Sequence, residues 1–446
     1  MWLVAVLLIT AMALSRRDKG PVWALSLGWL FCLAPILLGW VNYGFFDAHA
    51  DWYTAATLAA LGSYLAGVAL WLALPRHPLV TPSSNVATAD FAVGYACAKV
   101  AWWAGIIGVA CISLDFFRSG GAGLDDLAAL RDAVVERTSA TPLAQIGSIL
   151  TWGCLYCFIF ALVFRARLTS AGFFRMLLPI GGYFLLSVFS AGRQAAFQIL
   201  LVTILAVAMV RARRPRGSSR PRSAGTTVAV AALASLMIAY MGYVAVARND
   251  NLIDDDKARV ITMLFDAEVA PRVDGALSAF GPSVHSAAIE GMIYFSSPIA
   301  LFQKYLTIRF PSQSFGGLTF PFVFRQLQGL TGIHPSNLLA DKIIRLGDTG
   351  VIGAGWTTAI SSFLGDFGVL GTGVFLFALG YYSMSSWHLA RTSANLNDVV
   401  VAIVLMLVAV YMPMLPAQSD TNVFLLWLFA VGINALRTHP RRAVAA

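Results

Sequence analysis

Four arginines offer anion binding, and the first of them has few polar neighbours in the sequence. They are Arg193, Arg248, Arg309 and Arg325. Arg309 and Arg325 flank the turn Gly316-Gly317-Leu318-Thr319-Phe320. A guanidinium keeps its charge and binds phosphate oxygens in a bidentate way, so several arginines that converge on one pocket would hold a pyrophosphate group. The alternative for each is an interfacial arginine that snorkels or pairs with an acid.

Three further residues offer proton transfer or the positioning of a polar substrate. His334 lies in the turn Gly332-Ile333-His334-Pro335, where it is either a base suited to neutral pH or a solvated loop histidine. Glu290 lies in an apolar stretch, and its carboxylate would need burial to act as a base. Asp366 lies inside another apolar run, where a carboxylate is costly and serves a substrate, an arginine or a helix break.

The sequence gives no reason to expect a metal or another cofactor. Asp254 and Asp256 fit the DxD pattern that binds metal-nucleotides, but they precede an apolar-periodic run, and helix capping explains them. The motifs of a P-loop, of a serine-hydrolase elbow and of a zinc protease do not occur in the sequence. We therefore expect a metal-independent site without a cofactor.

The composition places these residues in a membrane protein. Of the 446 residues, 58% are hydrophobic and 12% are charged, whereas a soluble domain carries about 25% charged residues. The mean hydropathy is +0.74. The apolar runs are continuous, as transmembrane helices require, and do not alternate as barrel strands do. The net charge of +9 lies mostly in alternate loops, so no nucleic-acid partner is expected.

Eleven apolar stretches predict an all-α, polytopic fold of about eleven transmembrane helices in one integral membrane domain, residues 1–446. The stretches lie at about 2–14, 22–40, 52–74, 91–114, 145–164, 174–190, 194–210, 226–247, 357–384, 398–415 and 422–436. The first has a basic cluster after it and none before it, so it is not a cleavable signal and inserts with its N-terminus outside.

Positive charge then orients the whole chain. The predicted inner loops are 15–21, 75–90, 165–175, 211–225, 385–397 and the tail from 437. They hold 17 of the Lys and Arg residues, including six arginines between 211 and 222. Such clusters also contact anionic lipid head groups. The C-terminus is expected inside, and the functional face is expected outside.

The longest outer segment, residues 248–356, is expected to be partly helical and functional. Three aspartates at 254–256 precede the apolar-periodic run 258–269 and predict a capped helix. Residues 284–306 form a second apolar segment, but polar residues and Pro298 interrupt it. This pattern predicts an interfacial or re-entrant element rather than a clean span.

Several short motifs follow one another between residues 189 and 371. The first is Phe189-Ser190-Ala191-Gly192-Arg193, followed by an apolar helix. Tyr294-Phe295-Ser296-Ser297-Pro298 comes next, with Gly317 to Phe320 after it. The last runs from Thr357-Thr358-Ala359 to Asp366-Phe367-Gly368-Val369-Leu370-Gly371. In order and spacing these motifs resemble those of bacterial oligosaccharide repeat-unit polymerases, the Wzy-type O-antigen polymerases.

The resemblance covers residues from about 180 to 380 and has one clear departure. The family often shows Asn-x-Tyr-Thr before the D-F-G segment, where this chain has Gly355-Trp356-Thr357. The resemblance implies a GT-C-like membrane fold and a periplasmic active face on the bacterial inner membrane. It implies transfer of a glycan from undecaprenyl pyrophosphate to the non-reducing end of a lipid-linked repeat unit, for O-antigen, capsule or exopolysaccharide. A chain-length regulator and a flippase are the implied protein partners.

Positioning and charge stabilisation dominate such a transfer, because pyrophosphate is already a good leaving group. We therefore expect Arg193 and Arg248 to bind pyrophosphate, with Arg309 or Arg325 assisting. Either His334 or Glu290 would accept the hydroxyl proton or orient the acceptor. Three alternatives stay open at this point: an O-antigen ligase, a transporter of lipid-linked glycans, and a scaffolding subunit of the envelope.

Overall fold

The computed structural model describes ten stretches of the chain and seven single residues. The stretches are 1–15, 20–74, 84–118, 141–189, 194–213, 254–308, 315–325, 357–393, 395–417 and 420–443, and the single residues are 235, 240, 338, 341, 342, 344 and 345. Within this part of the chain the structure is almost entirely helical.

The elements follow the apolar stretches of the sequence. The first part contains α1 (Trp2–Leu14), α2 (Gly20–Leu37), β1 (Val41–Tyr43), α3 (Asp51–Ala73), α4 (Ser84–Arg118), α5 (Pro142–Leu150), α6 (Trp152–Val163), a 3-10 turn (Arg165–Arg167), α7 (Ser170–Phe189) and α8 (Gln194–Ala212). The second contains α9 (Asp254–Leu264), β2 (Ala267–Val269), α10 (Pro271–Ser278), α11 (Pro282–Thr307), α12 (Ala359–Thr392), α13 (Leu396–Tyr411) and α14 (Thr421–Ala443).

The fold is that of an all-α polytopic membrane protein. Seven helical stretches are long and apolar enough to cross a bilayer, namely 20–37, 51–73, 90–118, 142–163, 170–188, 194–212 and 359–392. Three shorter apolar helices, 2–14, 396–411 and 421–437, complete the set found in the described residues. Ten of the eleven predicted stretches thus coincide with helices. The other, 226–247, lies almost wholly outside the described residues.

Two predictions for the long outer segment have different outcomes. The helix predicted for the run 258–269 is present as α9, but it starts at Asp254 and ends at Leu264, and residues 267–269 form β2. For 284–306, α11 is one continuous helix of 26 residues with Pro298 inside it, so a re-entrant element was wrong. The helix is not among those long and apolar enough to cross a bilayer, which agrees with the prediction that this segment is not a clean span. Ser296 stays in the helix because its hydroxyl donates to the Met292 carbonyl at 2.6 Å and also lies 2.7 Å from the Tyr43 hydroxyl.

By its packing the chain divides into two compact units. Unit 1 comprises residues 1–75, 251–385 and 405–420. Unit 2 comprises residues 76–250, 386–404 and 421–446. Each unit is built from segments that are distant in sequence, so each depends on contacts between helices rather than on local hairpins alone.

In unit 1 the connection between α2 and α3 is tied to the long segment after residue 250. Strand β1 pairs with β2 in antiparallel register, Val41 opposite Val269. The Tyr53 hydroxyl donates to the Ile299 carbonyl at 2.6 Å, and the Gln303 amide donates to the Asp47 carbonyl at 2.8 Å. These two segments therefore lie at one end of the unit, as the predicted topology requires.

Two helices of unit 1 touch backbone to backbone. A Cβ atom at Gly67 on α3 would lie 2.0 Å from the Phe377 carbonyl oxygen on α12. A Cβ at Gly380 on α12 would lie 2.0 Å from the Tyr64 carbonyl oxygen on α3. Glycine at both positions lets the helices approach closely, which is how helices associate where water supplies no driving force.

Unit 2 brings together four of the segments predicted as inner loops. Arg437 donates to the Asp90 carboxylate at 2.5 Å. Arg213 donates to the Ser393 carbonyl oxygen. These contacts join the loop before residue 90, the arginine-rich loop, the α12–α13 connection and the tail at one end of the unit. Which side of the membrane this end faces stays a prediction.

The glycine contact in unit 1 gives a first testable prediction. Gly67→Ala should lower thermal stability by about 1–3 kcal/mol, because the added methyl group meets a backbone carbonyl that can move only with its helix. Thermal unfolding of the purified protein in detergent measures this loss. Gly62→Ala on the same helix is the matched control, since a Cβ there meets nothing within 4 Å. Equal melting temperatures for the two variants would contradict the close packing of α3 on α12.

Candidate functional site

The first part of α12 contains a deeply buried carboxylate, Asp366, and two backbone amides of the outer segment donate to it. The side chain of Asp366 is fully buried. The amide of Leu318 donates to Oδ1 at 3.0 Å, and the amide of Thr319 donates to Oδ2 at 2.6 Å. A third bond runs from the Phe315 amide to the Asp366 carbonyl oxygen at 3.1 Å. The turn 315–320 is therefore fastened to the start of α12.

The backbone of this turn is shaped to present its amides. Phe315 and Gly316 both have positive φ, 47° and 109°, and the Phe320 amide closes the turn on the Gly316 carbonyl at 2.7 Å. Successive amides of such a turn point to one side and form a concavity that binds an anion. Here the anion is the carboxylate of Asp366. Both the turn and the segment that begins at Asp366 are motifs in the sequence, but nothing in the sequence indicated that they bind each other.

Helix α12 is not continuous, and this changes the position of Asp366. Gly368 has φ 66° and ψ −174°, which is not helical and separates a short N-terminal piece, 359–367, from the rest of the helix. The part from 369 to 392 is alone long enough to cross a hydrocarbon core of roughly 30 Å at about 1.5 Å per residue. The sequence predicted Asp366 within a span and left open a role for it at a helix break. The structure instead places it on a separate short helical segment before the break.

At each glycine around Asp366, a side chain would strain the backbone or collide with a neighbouring atom. Gly368 adopts a conformation that is essentially restricted to glycine. A Cβ at Gly365 would lie 2.8 Å from both the Leu318 side chain and the Tyr305 hydroxyl. A Cβ at Gly371 would lie 2.7 Å from Cβ of Phe367. The G-D-F-G-x-x-G pattern therefore encodes a close three-way packing of α11, the turn and the two pieces of α12.

A buried lysine that the sequence analysis did not single out lies in the same unit. Lys342 donates from Nζ to the Ser361 hydroxyl at 2.9 Å, and its ammonium group lies 5.1 Å from the ring centroid of Tyr305. The side chain is buried. Burial lowers the pKa of Lys342 to about 7, although the negative charge of Asp366 opposes this shift. Residue type alone could not reveal it, because a lysine of the outer segment that stands close to Asp341 and Arg345 is ordinarily solvated.

Residues with buried hydroxyl groups adjoin Ser361 and Asp366. The Ser361 hydroxyl donates to the Thr358 carbonyl at 2.7 Å and is also hydrogen-bonded to the Thr357 hydroxyl. The hydroxyls of Thr358 and Thr319 are buried without a hydrogen-bond partner in the described part of the chain. Thr319 also supplies one of the two amides on Asp366. Lys342, Asp366 and these two hydroxyls form what we call the Lys–Asp cluster.

The other predicted site residues lie elsewhere or outside the described residues. Glu290 is half-buried on α11, roughly 22 Å along the helix from Tyr305, so it is not beside the Lys–Asp cluster. Arg325 is exposed, and its Nε lies 3.4 Å from the Pro321 carbonyl oxygen. The remaining four, Arg193, Arg248, Arg309 and His334, lie outside the described residues.

The contact between Asp366 and the turn predicts a clear effect of Asp366→Asn. An asparagine amide would face a backbone amide with a second donor, so one buried N–H would lose its acceptor at a cost of about 1–3 kcal/mol. Thermal unfolding in detergent should show this loss. Asp274→Asn is the control, because Asp274 is exposed and its contact is a surface pair with His285, worth less than about 1 kcal/mol. An Asp366→Asn variant as stable as the wild type would contradict the geometry of the turn.

The break in α12 predicts that Gly368 tolerates no side chain. Gly368→Ala should cost about 1–3 kcal/mol, because an L-residue cannot adopt this conformation without strain. Gly373→Ala, five residues further along α12, is the control, since its Cβ would make only an ordinary contact with Ser63 at 3.7 Å. The melting temperatures of the two variants give the comparison. A stable Gly368→Ala variant would mean that α12 is continuous.

Comparison of the chain with protein-family models, with curated proteins and with solved structures finds no match. The motifs of the chain and the geometry of the Lys–Asp cluster are therefore the basis on which a function can be assigned.

Proposed function

We propose that this protein is a glycosyltransferase of the bacterial inner membrane that polymerises lipid-linked oligosaccharides. It would transfer a glycan chain from undecaprenyl pyrophosphate to the non-reducing end of an incoming repeat unit on the periplasmic side. One observation carries this proposal. The Gly317–Phe320 segment and the Asp366–Gly371 segment, which separately resemble polymerase motifs, bind each other through the Asp366 carboxylate.

The chemistry of the reaction fits what these residues offer. The nucleophile is a sugar hydroxyl and the leaving group is a pyrophosphate, so the protein mainly has to position two substrates and stabilise charge. In this proposal Arg193, Arg248, Arg309 and Arg325 are the ligands of the pyrophosphate, without a metal. The Asp366 carboxylate positions the turn between Arg309 and Arg325. It is a positioning residue because backbone amides already bind both of its oxygens.

The proposal extends to the architecture and the partners. About eleven spans in a GT-C-like arrangement, with the N-terminus outside and the C-terminus inside, would place residues 248–356 in the periplasm. A flippase would deliver the lipid-linked repeat unit, and a chain-length regulator would limit the product. The end product would be O-antigen, capsule or exopolysaccharide. A ligase that uses the same donor on a lipid A core acceptor is the nearest variant of this function.

A second candidate function is transport of lipid-linked glycans, and one observation favours it. Transporters bind substrates where a helix is interrupted, because the interruption exposes backbone groups. The break at Gly368, two residues after a buried carboxylate, is such an interruption. The break separates two helical pieces of which only the second is long enough to span the membrane, so it lies near one end of the span. This position favours a site at the membrane surface over a path through its centre.

The test is reconstitution of the purified protein in liposomes with undecaprenyl-pyrophosphate repeat units, without nucleotide sugar or metal. We expect a ladder of products of increasing repeat number on a gel. Arg193→Ala should reduce the rate by about 10²–10³, the effect of losing one charge-stabilising donor. Arg272→Ala is the matched control, because Arg272 is an exposed outer arginine that bonds a backbone carbonyl, that of Leu38.

Three outcomes would contradict parts of the proposal. Wild-type ladders that persist unchanged in Arg193→Ala would remove Arg193 from the site. A product that forms only when lipid A core is added would establish a ligase. Movement of labelled substrate across the liposome membrane, without any new glycosidic bond, would establish a transporter.

A further inference from the structure

We propose that the amine of Lys342 is the general base of this transfer and accepts the proton of the attacking sugar hydroxyl. The inference rests on the proposed function and names a catalytic residue that its motifs do not contain. The sequence suggested His334 or Glu290 for this role. The geometry points instead to Lys342, because it is the amine of the Lys–Asp cluster and donates to a buried hydroxyl group.

Among the described residues, Ser361 is the hydrogen-bond partner of the Lys342 amine. Ser361 donates its own proton to the Thr358 carbonyl, so its oxygen accepts a hydrogen from Nζ of Lys342. The ring of Tyr305 covers another side of the amine at 5.1 Å. An amine held in this way keeps one N–H on Ser361 and directs its lone pair elsewhere. A base needs this arrangement, since it must be fixed in place and still have an open acceptor position.

Asp366 assists the lysine in this proposal and does not replace it. Backbone amides of the turn bind both of its oxygens, so the carboxylate is held on the turn. Its charge nevertheless acts on the lysine, because it favours the protonated amine. A fixed anion near a neutral base stabilises the cation that proton transfer creates. The pair thus resembles other catalytic pairs in which one group orients and the other exchanges the proton.

Two buried hydroxyls supply the polar contacts that a sugar requires. The hydroxyls of Thr319 and Thr358 are fully buried and without a hydrogen-bond partner among the described residues. A buried polar group without a partner is costly, and a bound ligand with several hydroxyls would satisfy both. Thr358 adjoins the Lys342–Ser361 bond through its carbonyl, and Thr319 adjoins Asp366 through its amide. The ligand class is therefore a sugar with free hydroxyl groups.

The step balances without another reactant. The O–H bond of the acceptor sugar breaks and its proton moves to Nζ of Lys342. The hydroxyl oxygen forms the new bond to the anomeric carbon of the donor, and the bond from that carbon to the pyrophosphate oxygen breaks. The pyrophosphate leaves with the electron pair, and the lysine later returns its proton to water. Among the described residues, the charged and titratable groups that act on or contact the amine are Asp366 on α12 and Tyr305 on α11, and its own segment carries the ion pair between Asp341 and Arg345.

The test is the pH dependence of the ladder assay. The wild-type rate should fall about tenfold per pH unit below the pKa of about 7, because the protonated amine cannot act as a base. Lys342→Met should lose about 10²–10⁴ in rate and show no acid limb. Lys342→Arg keeps the charge but cannot be deprotonated, so it should be equally inactive. Lys304→Met is the matched control, since Lys304 is a lysine of the same unit outside the Lys–Asp cluster.

The outcomes separate this inference from the proposed function. A wild-type ladder whose rate does not fall on the acid side would overturn the inference, whether or not any variant folds. A Lys342→Met variant within threefold of the wild type would overturn it too, and both results would leave the polymerase intact. Absence of a wild-type ladder on the confirmed native substrate would overturn the polymerase and with it the role of Lys342.

A stability measurement adds a readout that is independent of activity. Because folding lowers the pKa of Lys342, the unfolded chain binds more protons between pH about 7 and about 10.5. The wild type should therefore gain stability relative to Lys342→Met as the pH rises through this window. Melting temperatures of both proteins at about pH 6 and about pH 9 give the difference. A difference that does not change with pH would mean an ordinary lysine and would overturn the inference.

Discussion

The bond between the Asp366 carboxylate and the amides of Leu318 and Thr319 is the constraint on which the rest of the site depends. An ionised carboxylate without partners is too costly to bury, so the turn has to be present for Asp366 to be there. The reverse also holds, because a turn with two buried amides requires an acceptor. The turn of the outer segment and the start of α12 therefore each require the other in order to be buried. The glycines at 365, 368 and 371 permit this close packing around Asp366.

The same anion explains how a lysine is kept inside unit 1. Lys342 is buried, and its one hydrogen bond among the described residues, to Ser361, is too little to solvate an ammonium group. Asp366 offers negative charge at a distance, but its oxygens are bound to the turn. Two effects on the protonation of the amine therefore oppose each other. Burial favours the neutral form, and the charge of Asp366 favours the protonated form. This balance is what a group that exchanges protons near neutrality requires, and an exposed lysine would not have it.

Much of the fold follows from the sequence, because apolar length and loop charge are local properties. Ten stretches and the helix from Asp254 were predicted from such patterns alone. The errors have a tertiary cause. Ser296 interrupts an apolar run in the sequence, yet its hydroxyl bonds Met292 and Tyr43, so the helix continues through it. A helix break was one of the roles considered for Asp366, but the sequence did not locate it at Gly368, because a glycine with positive φ has the same letter as one in a helix. Lys342 was missed because its burial depends on elements far away in the chain.

The site also shows why four arginines alone are an incomplete account of such a reaction. Arginine stabilises the departing pyrophosphate but never gives up its proton, so it cannot accept one from the incoming hydroxyl. A transfer between two sugars needs both functions, and they require opposite environments. Anion binding favours charged groups that remain solvated, whereas a neutral amine requires burial. The proposed reaction would therefore need an arginine-containing anion site as well as the dry cluster around Lys342 and Asp366. The turn 315–320 is placed to join them, since arginines flank it in sequence and Asp366 binds its backbone.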